Sequence, residues 1–148
     1  MTDQEGNQLE TLDSDECYRL LAGAQVGRLG VVADHYPLII PVNYAMDRGT
    51  IVIRSSAGTK LAALQRANVT FEVDDIDTAS RSGWSVLVRG QAEEVGAEHG
   101  QELVERTKAA GTSPWAPGER EHWVRIIPHD VTGRRIVLAP VPPSFGYM

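Results

Sequence analysis

Residues 51–60 read IVIRSSAGTK, and this stretch decides how the rest of the chain is interpreted. An alternating apolar strand runs into a turn of hydroxyl groups and cations, and residues 61–66 then favour a helix. The polar residues of this junction are Arg54, Ser55, Ser56, Thr59 and Lys60. Exposed backbone N–H groups and the positive end of a helix dipole would suit phosphate or another compact anion. The segment equally fits a plain strand–turn–helix junction whose polar side chains face water.

The charge of the chain is concentrated near its N-terminal end. The net charge is −6, and six acidic residues with no basic residue precede residue 17. In the remainder, 14 acidic and 14 basic residues cancel. Such a body lacks the basic field that nucleic-acid binding needs, so we expect no nucleic-acid partner.

Cysteine usage and hydropathy bear on the compartment. Cys17 is the single cysteine, which excludes an intrachain disulfide and suits a reducing compartment. The first residues lack a basic segment followed by an apolar one, and no apolar run approaches the roughly 18 residues of a membrane span. We therefore expect a cytoplasmic protein with no membrane partner.

The alternation of apolar residues predicts a mainly β fold in one domain. Residues 1–11 are predicted as a disordered acidic leader, residues 12–140 as the domain and residues 141–148 as a C-terminal tail. Strands are predicted at residues 26–33, 37–46, 50–55, 69–74, 84–95, 121–127 and 133–138. Helices are predicted after an N-cap at Asp13 and at residues 58–66 and 97–109. Short turns without regular helical crossovers indicate an antiparallel barrel or sandwich of about six to seven strands with small flanking helices.

Familiar catalytic and metal-binding motifs are missing from the sequence. The four histidines are far apart and none has a partner at zinc-ligand spacing. Neither a nucleophile elbow nor a His-Glu-x-x-His motif occurs. The carboxylate pairs at residues 74–75 and 93–94 would point to opposite faces of their strands. We therefore expect neither a metal site nor a catalytic side chain.

The remaining candidates describe a site for a non-covalent ligand. Pro41 removes a hydrogen-bond donor from a predicted strand, so that strand is an edge or bends there, with or without a ligand beside it. Asn43 and Tyr44 follow with an amide and a phenol. Trp84 and Ser85 supply a flat apolar face and a hydroxyl, and Trp115 on a Pro-rich loop is either interfacial or a lid. Together with the junction at residues 51–60, these groups suit a flat ring with a phosphate tail.

In these residues the chain resembles the pyridoxamine 5′-phosphate oxidase-like proteins of the flavin-binding split-barrel superfamily. More narrowly, it is similar to the branch related to nitroimidazole-resistance proteins. The resemblance spans about residues 12–138, and its matching pieces are residues 16–17, 20–21, 26–29, 41–44, 54–60, 71–74, 84–90 and 133–136.

The resemblance implies an FMN-binding split β-barrel, Greek-key-like, that forms a homodimer with FMN in clefts at the interface. The phosphate-binding positions of the family match Arg54, Ser55 and Lys60. The strand along the isoalloxazine ring matches Pro41, Val42, Asn43 and Tyr44. The segment that the neighbouring subunit contributes matches Trp84 and Ser85. Trp115, on a loop that varies in the superfamily, is a candidate to close the cleft.

The function implied is transfer of electrons from a nicotinamide to a small planar acceptor, such as a nitroaromatic or a quinone. The C-terminal Arg and His with which true pyridoxamine phosphate oxidases bind their substrate are not recognisable, and the spacing of Arg134 and Arg135 does not establish that role. Oxidation of vitamin B6 is therefore not the expected reaction. Two alternatives stay open: an F420-dependent reductase on the same fold, and a non-catalytic protein that carries flavin or haem.

Overall fold

An antiparallel sheet of eight strands wraps around one apolar core in the computed structural model, which describes residues 7–111, 114–116, 118 and 120–138. The strands are β1 (Gln8–Leu12), β2 (Val26–Ala33), β3 (Tyr36–Asn43), β4 (Ala45–Asp47), β5 (Thr50–Ser55), β6 (Ala67–Asp77), β7 (Ser82–Glu94) and β8 (His122–Val137). The helices are α1 (Ser14–Gly23), α2 (Thr59–Ala63) and α3 (Gln101–Ala109). The predicted fold class, a mainly β split barrel with small helices, is confirmed.

The order of the strands explains why the sheet curls. It runs β3-β2-β6-β7-β8-β5-β4, and β1 pairs with β8 outside this path. Tyr44 alone separates β3 from β4, so one extended stretch of chain forms both ends of the sheet. Because those two ends are covalently joined, the sheet has to bend until they meet, which produces the split barrel.

Tyr44 holds this corner from the inside. Its side chain is buried, and its ring meets that of Phe71 edge-on, with the ring centroids 4.9 Å apart. Burial raises the pKa of Tyr44 to about 12. The phenol therefore stays protonated and donates a hydrogen bond to the carbonyl oxygen of Leu21 in α1. The corner and the helix are thus tied to the same point of the core.

The core is built from the strand residues that face inward, which are every second residue along a strand. In β6, for example, Val69, Phe71 and Val73 are buried, whereas the residues between them face outward. Burying a side chain of the size of Phe71 contributes about 1.5–3 kcal/mol. α1 packs on the core through Cys17, which is a buried free thiol, and through two leucines.

The predicted start of α1 is confirmed. Asp13 is the N-cap, and its carboxylate accepts a hydrogen bond from the backbone N–H of Glu16 at 2.8 Å. The side chain of Glu16 in turn accepts a hydrogen bond from Arg135 of β8 at 2.9 Å. The cap and this ion pair together fix the helix on the sheet.

The predictions for the regions of β1 and β8 are wrong, and the strand predicted at residues 37–46 is divided into β3 and β4. Residues 8–11, predicted as disordered, belong to β1, because the edge of β8 offers backbone groups that pair with them from Gln8 opposite Val137 onward. The two strands predicted around residues 121–138 are a single strand, β8. Pro128 is accommodated within β8 because it lies opposite Gly90 at a register shift.

Residues 1–6 and the predicted tail at residues 141–148 lie outside the described residues. Within the described ranges, no helix is long and apolar enough to cross a membrane.

Candidate functional site

β5 presents Arg54 on the face opposite the core. Ile51 and Ile53 are buried, and the alternation of the strand turns Arg54 outward. The Nε of Arg54 donates to the carbonyl oxygen of Arg120 at 3.1 Å, and its guanidinium carbon lies 4.7 Å from the centroid of the Trp123 ring. Such a cation–π contact contributes about 0.5–2 kcal/mol. Arg54 is therefore held in place by two contacts that leave its terminal NH₂ groups available.

A small cavity with positively charged walls lies beside Arg54. Its volume is about 70 Å³. This cationic cavity is lined by Pro41, Val42, Asn43, Arg54, Lys60, Pro114, Ala116 and Arg120. Three of these side chains are cationic, and none of the described residues that line the cavity carries a carboxylate. Positive charge gathered in this way attracts an anionic ligand.

Lys60 shows the electrostatic effect of this arrangement. Its side chain is half-buried, and it makes no ion pair with any residue that the structure describes. Burial, together with the charge of Arg120, lowers the pKa of Lys60. An anion in the cavity would compensate both effects, because it would replace the lost hydration and offset the repulsion between the two cations.

The backbone of β3 forms another wall of the cavity. Within the described sheet, β3 pairs only with β2, so its other edge is unpaired. Pro41 lies opposite Arg28 in this pairing, and an edge strand tolerates the missing N–H. Of the two predicted alternatives for Pro41, an edge strand or a bend, the structure shows the edge strand. The free edge offers backbone groups to a ligand beside Val42 and Asn43.

The helix after the cavity is shorter than predicted. α2 covers five residues, Thr59–Ala63, instead of residues 58–66, and its N-cap Gly58 makes no side-chain capping hydrogen bond. The chain leaves the helix at Leu64, whose side chain is fully buried in the core, and Arg66 then takes a left-handed backbone conformation with a φ of 52°. A helix of this length has little dipole, so side-chain cations rather than a helix terminus give the cavity its charge.

Several of the predicted site residues lie outside the lining of the cationic cavity. Tyr44 is in the core, so only its backbone can face a ligand. Ser55 is fully buried, and its hydroxyl donates to the carbonyl oxygen of Ser56 at 2.9 Å. Ser56 and Thr59 are exposed on the adjoining turn and at the first residue of α2.

Trp84 and Ser85 lie far from the cationic cavity within one subunit. Arg54 is opposite Trp123 and Ser85 is opposite Arg134, eleven residues further along β8. At about 3.3 Å per residue, this corresponds to roughly 30–36 Å along the strand. The Trp84–Ser85 segment lines a different cavity, of about 230 Å³, with Leu9, Ile76, Gly83, Arg134 and Ile136. A single subunit therefore does not bring the two halves of the predicted site together.

The loop of Trp115 is attached to the cavity through Asn43. The backbone N–H of Trp115 donates to Oδ1 of Asn43 at 2.8 Å, while the indole ring is 69% exposed. The residues on either side of it, Pro114 and Ala116, line the cavity. Trp115 is thus placed at the rim with its ring toward solvent.

Arg120 and Trp123 were not predicted as site residues. Arg120 closes the cationic cavity, and its NH1 donates to the carbonyl oxygens of Ala116 and Gly118 at 3.2 Å each. Trp123 supports Arg54. The signal available was the short polar stretch that leads into the predicted strand at residues 121–127, but only the pairing of β5 with β8 connects it to Arg54.

A buried ion cluster joins α3 to the sheet. NH1 of Arg125 donates to Oδ2 of Asp47 and to Oγ1 of Thr107, both at 2.8 Å. Arg106 of α3 donates to the same carboxylate oxygen at 2.9 Å. Burial by itself raises the pKa of Asp47. The hydrogen bonds from Arg106 and Arg125 outweigh this effect and hold the pKa below its ordinary value. The cluster fixes the position of α3.

Two of the four histidines pair with carboxylates. His99 contacts Glu93 at 3.1 Å, and His122 contacts Glu94 at 2.6 Å. The two neighbouring carboxylates thus serve different partners. Among the residues that the structure describes, no group of three or more His, Cys, Asp or Glu side chains is arranged to hold a metal ion.

The chain is similar in sequence to known proteins over most of its length. The sequence profile described as pyridoxamine 5′-phosphate oxidase matches residues 13–135, which include every described residue that lines the cationic cavity. An uncharacterized protein of Mycobacterium tuberculosis is 35% identical over 140 residues, which cover 90% of this chain and 90% of that protein.

Solved structures share the fold. The FAD binding protein from Mycobacterium smegmatis is 36% identical, with a TM-score of 0.74 over 86% of this chain and 98% of that one. A FAD-binding protein from Mesorhizobium loti is 25% identical, with a TM-score of 0.68 over 89% of this chain and 99% of that one.

Proposed function

The chain belongs to the pyridoxamine 5′-phosphate oxidase family, as its residues predicted, and from that premise we propose that it is a flavin-binding oxidoreductase. The observation that carries the proposal is the cationic cavity, in which Arg54, Lys60 and Arg120 meet with no carboxylate among the described lining residues. A flavin nucleotide ends in the kind of compact anion that such a cavity accepts.

The residues fit the phosphate end of a flavin. Arg54 offers a forked donor whose position is already set by Trp123, and Lys60 supplies a mobile point charge. The free edge of β3 beside Val42 and Asn43 supplies backbone groups for the polar edge of a ring. In this arrangement the phosphate lies in the cavity and the ring lies along β3.

The flavin proposed from the sequence is FMN, and FAD is a second candidate. The relatives from Mycobacterium smegmatis and Mesorhizobium loti are described as FAD-binding proteins, which favours FAD for this chain. Both cofactors place a phosphate directly after the ribityl chain, so either one would use the same cavity. F420 remains an alternative, and its longer acidic tail would need cations beyond Arg54, Lys60 and Arg120.

The chain's own part in the reaction is binding and orientation. A bound flavin supplies the hydride and electron transfer. The cationic cavity holds the phosphate, and the edge of β3 orients the ring and tunes its polar edge. We assign no general acid or base. The acceptor is a small planar molecule of the nitroaromatic or quinone type, and a nicotinamide donates the electrons.

A homodimer is part of the proposal. The Trp84–Ser85 segment and the cationic cavity lie at distant points of one subunit, so a second copy would have to bring that segment to the flavin. Exposed apolar residues surround the segment: Leu9 is 39% exposed, Ile76 58% and Ile136 41%. We also retain a cytoplasmic location, which suits the buried free thiol of Cys17.

The test is a cofactor titration followed by reduction. Purified protein is titrated with FMN, FAD and F420, each followed by its absorbance, and the loaded protein is mixed anaerobically with NADH or NADPH and then with a quinone. Flavin binding, bleaching by the nicotinamide and recovery of colour with the quinone are expected. Protein that binds none of the three refutes the proposal. Bound flavin that neither nicotinamide reduces indicates a non-catalytic carrier instead.

A further inference from the structure

A second cavity, of about 380 Å³, lies on the other side of the stacked pair of Arg54 and Trp123 from the cationic cavity. It is lined by Val95, Gly96, Ala97, His99, Gln101, Val104, Lys108, Glu121 and Trp123. Trp123, which forms part of its wall, also carries the guanidinium of Arg54 on its ring. Glu121 of the second cavity directly follows Arg120 of the cationic cavity in the chain. The two cavities are therefore neighbours, and residues that line them contact each other at these two points.

The two cavities differ in size in a way that matters for the ligand. The cationic cavity, at about 70 Å³, has room for little more than a phosphate group. The second cavity, at about 380 Å³, falls within the range of sites that hold small organic molecules. A ligand that continues beyond its phosphate would enter the second cavity.

Aromatic rings line the second cavity. Trp123 offers an indole, and His99 offers an imidazole that is only 13% exposed. Nδ1 of His99 accepts a hydrogen bond from the N–H of Gly96 at 3.0 Å, so Nε2 carries the proton and contacts Glu93. Both ring nitrogens are thus engaged, and His99 can contact a ligand only through its ring. Flat aromatic surfaces of this kind stack on a nucleobase.

The charge of the second cavity differs from that of the first. Lys108 and Glu121 balance each other, so the cavity has no net attraction for an anion. A carboxylate next to a phosphate site is instead suited to accept hydrogen bonds from ribose hydroxyls, as acidic residues do in dinucleotide sites. An acidic tail such as that of F420 would find no net positive charge there.

We infer that the second cavity binds the adenosine half of FAD, with the flavin phosphate in the cationic cavity, Glu121 at the ribose and Trp123 against the adenine. The inference rests on the proposed function, because it presupposes a flavin phosphate beside Arg54. The inference goes beyond the proposed function because it selects FAD over FMN and assigns the residues that distinguish the two cofactors.

The experiment compares FAD with FMN by isothermal titration calorimetry. The wild-type protein should bind FAD at least about tenfold more tightly than FMN. Val104→Trp, which fills the cavity from α3, should lower the affinity for FAD to that for FMN while the affinity for FMN changes less than about twofold. Glu102→Trp, on the exposed part of the same helix, is the matched control and should change neither. Glu121→Ala, at an exposed position, should weaken the binding of FAD and leave the binding of FMN unchanged. This variant tests the inference if Val104→Trp fails to fold.

The outcomes separate this inference from the proposed function. Equal affinity of the wild-type protein for FMN and FAD overturns the inference but leaves the proposed function standing, whereas binding of neither flavin refutes both. NAD⁺ is titrated in parallel as a second source of adenosine. If Val104→Trp abolishes binding of NAD⁺ and leaves FAD unchanged, the cavity belongs to the electron donor and the assignment to FAD is wrong.

Discussion

The guanidinium of Arg54 lies over the indole ring of Trp123, 4.7 Å from its centroid, because the two residues are directly opposite each other in the pairing of β5 with β8. The stacking restricts a side chain that would otherwise lose much rotational freedom on binding. A cation that is already in position loses less entropy when an anion arrives. The cationic cavity is therefore organised before a ligand binds.

Loss of the cations should weaken flavin binding. Arg54→Ala and Lys60→Ala would each remove a charge-assisted hydrogen bond to the proposed flavin phosphate, which should cost about 1.5–3 kcal/mol, or roughly 10- to 100-fold in Kd. The measurement is a fluorescence titration with FMN. Arg19→Ala is the control, because its side chain is 67% exposed and pairs with Glu16 on α1. Unchanged affinity in the double variant would rule out the assigned phosphate site.

A charge beside Trp84 should disrupt the proposed homodimer. Ile76 is 58% exposed and lines the same cavity as Trp84 and Ser85. In Ile76→Lys the ammonium group would be buried against the partner, so we expect monomers by light scattering and at least tenfold weaker flavin binding. Glu102→Lys on α3 is the control. A variant that stays dimeric, or a wild-type monomer that binds flavin fully, would contradict the proposed arrangement.

The sequence predicted best those elements whose limits are set locally. The strands at residues 26–33 and 50–55 have the predicted bounds, because alternation ends at turn residues on both sides. β1 was missed because residues 8–11 carry little apolar alternation and become ordered only by pairing with β8. Pro128 suggested a break that the register shift opposite Gly90 absorbs. Both errors concern contacts between residues far apart in the chain.

The same distinction applies to the candidate site. Arg54 and Lys60 were identifiable because a cationic turn after an apolar strand is a local pattern. Arg120 and Trp123 were not, since their contacts with Arg54 depend on the register of β5 against β8. Tyr44 looked like a ligand contact because a phenol beside Pro41 is polar, yet the corner between β3 and β4 turns it into the core.

The close approach of Gly27 to an aromatic ring should make that position intolerant of a side chain. A Cβ on Gly27 would lie 2.1 Å from Cζ of Phe71, whose ring is fully buried and packed against Tyr44. Gly27→Ala should therefore lower the free energy of unfolding by about 1–3 kcal/mol or more, as measured by urea denaturation. In Gly23→Ala, the matched control, nothing lies within 4 Å of the new Cβ, and α1 should gain up to about 1 kcal/mol. Equal stability of the two variants would refute the packing argument.

The carboxylate of Asp47 should be essential for stability because it neutralises a buried arginine. The Arg125 side chain is 6% exposed and that of Asp47 11%. Asp47→Asn leaves the guanidinium buried without a counter-charge, which costs about 3–5 kcal/mol in the free energy of unfolding. Asp130→Asn is the matched control: its partner Arg89 has a side chain that is 68% exposed, so the change should cost at most about 1 kcal/mol. Similar losses in the two variants would show that burial adds nothing to the Asp47 pair.

Asp47→Asn should also make the free energy of unfolding less sensitive to acid. Because the arginine hydrogen bonds hold the pKa of Asp47 in the folded state below its ordinary value, the unfolded chain takes up the proton first as pH falls. The contribution of Asp47 is therefore fully present above the ordinary pKa of an aspartate and is lost as pH falls through the lowered one. Urea denaturation of the wild-type protein between about pH 5 and pH 2 should show this loss, and Asp47→Asn should show a shallower decline over that interval. Parallel pH profiles would mean that Asp47 has the same pKa in the folded and unfolded chains.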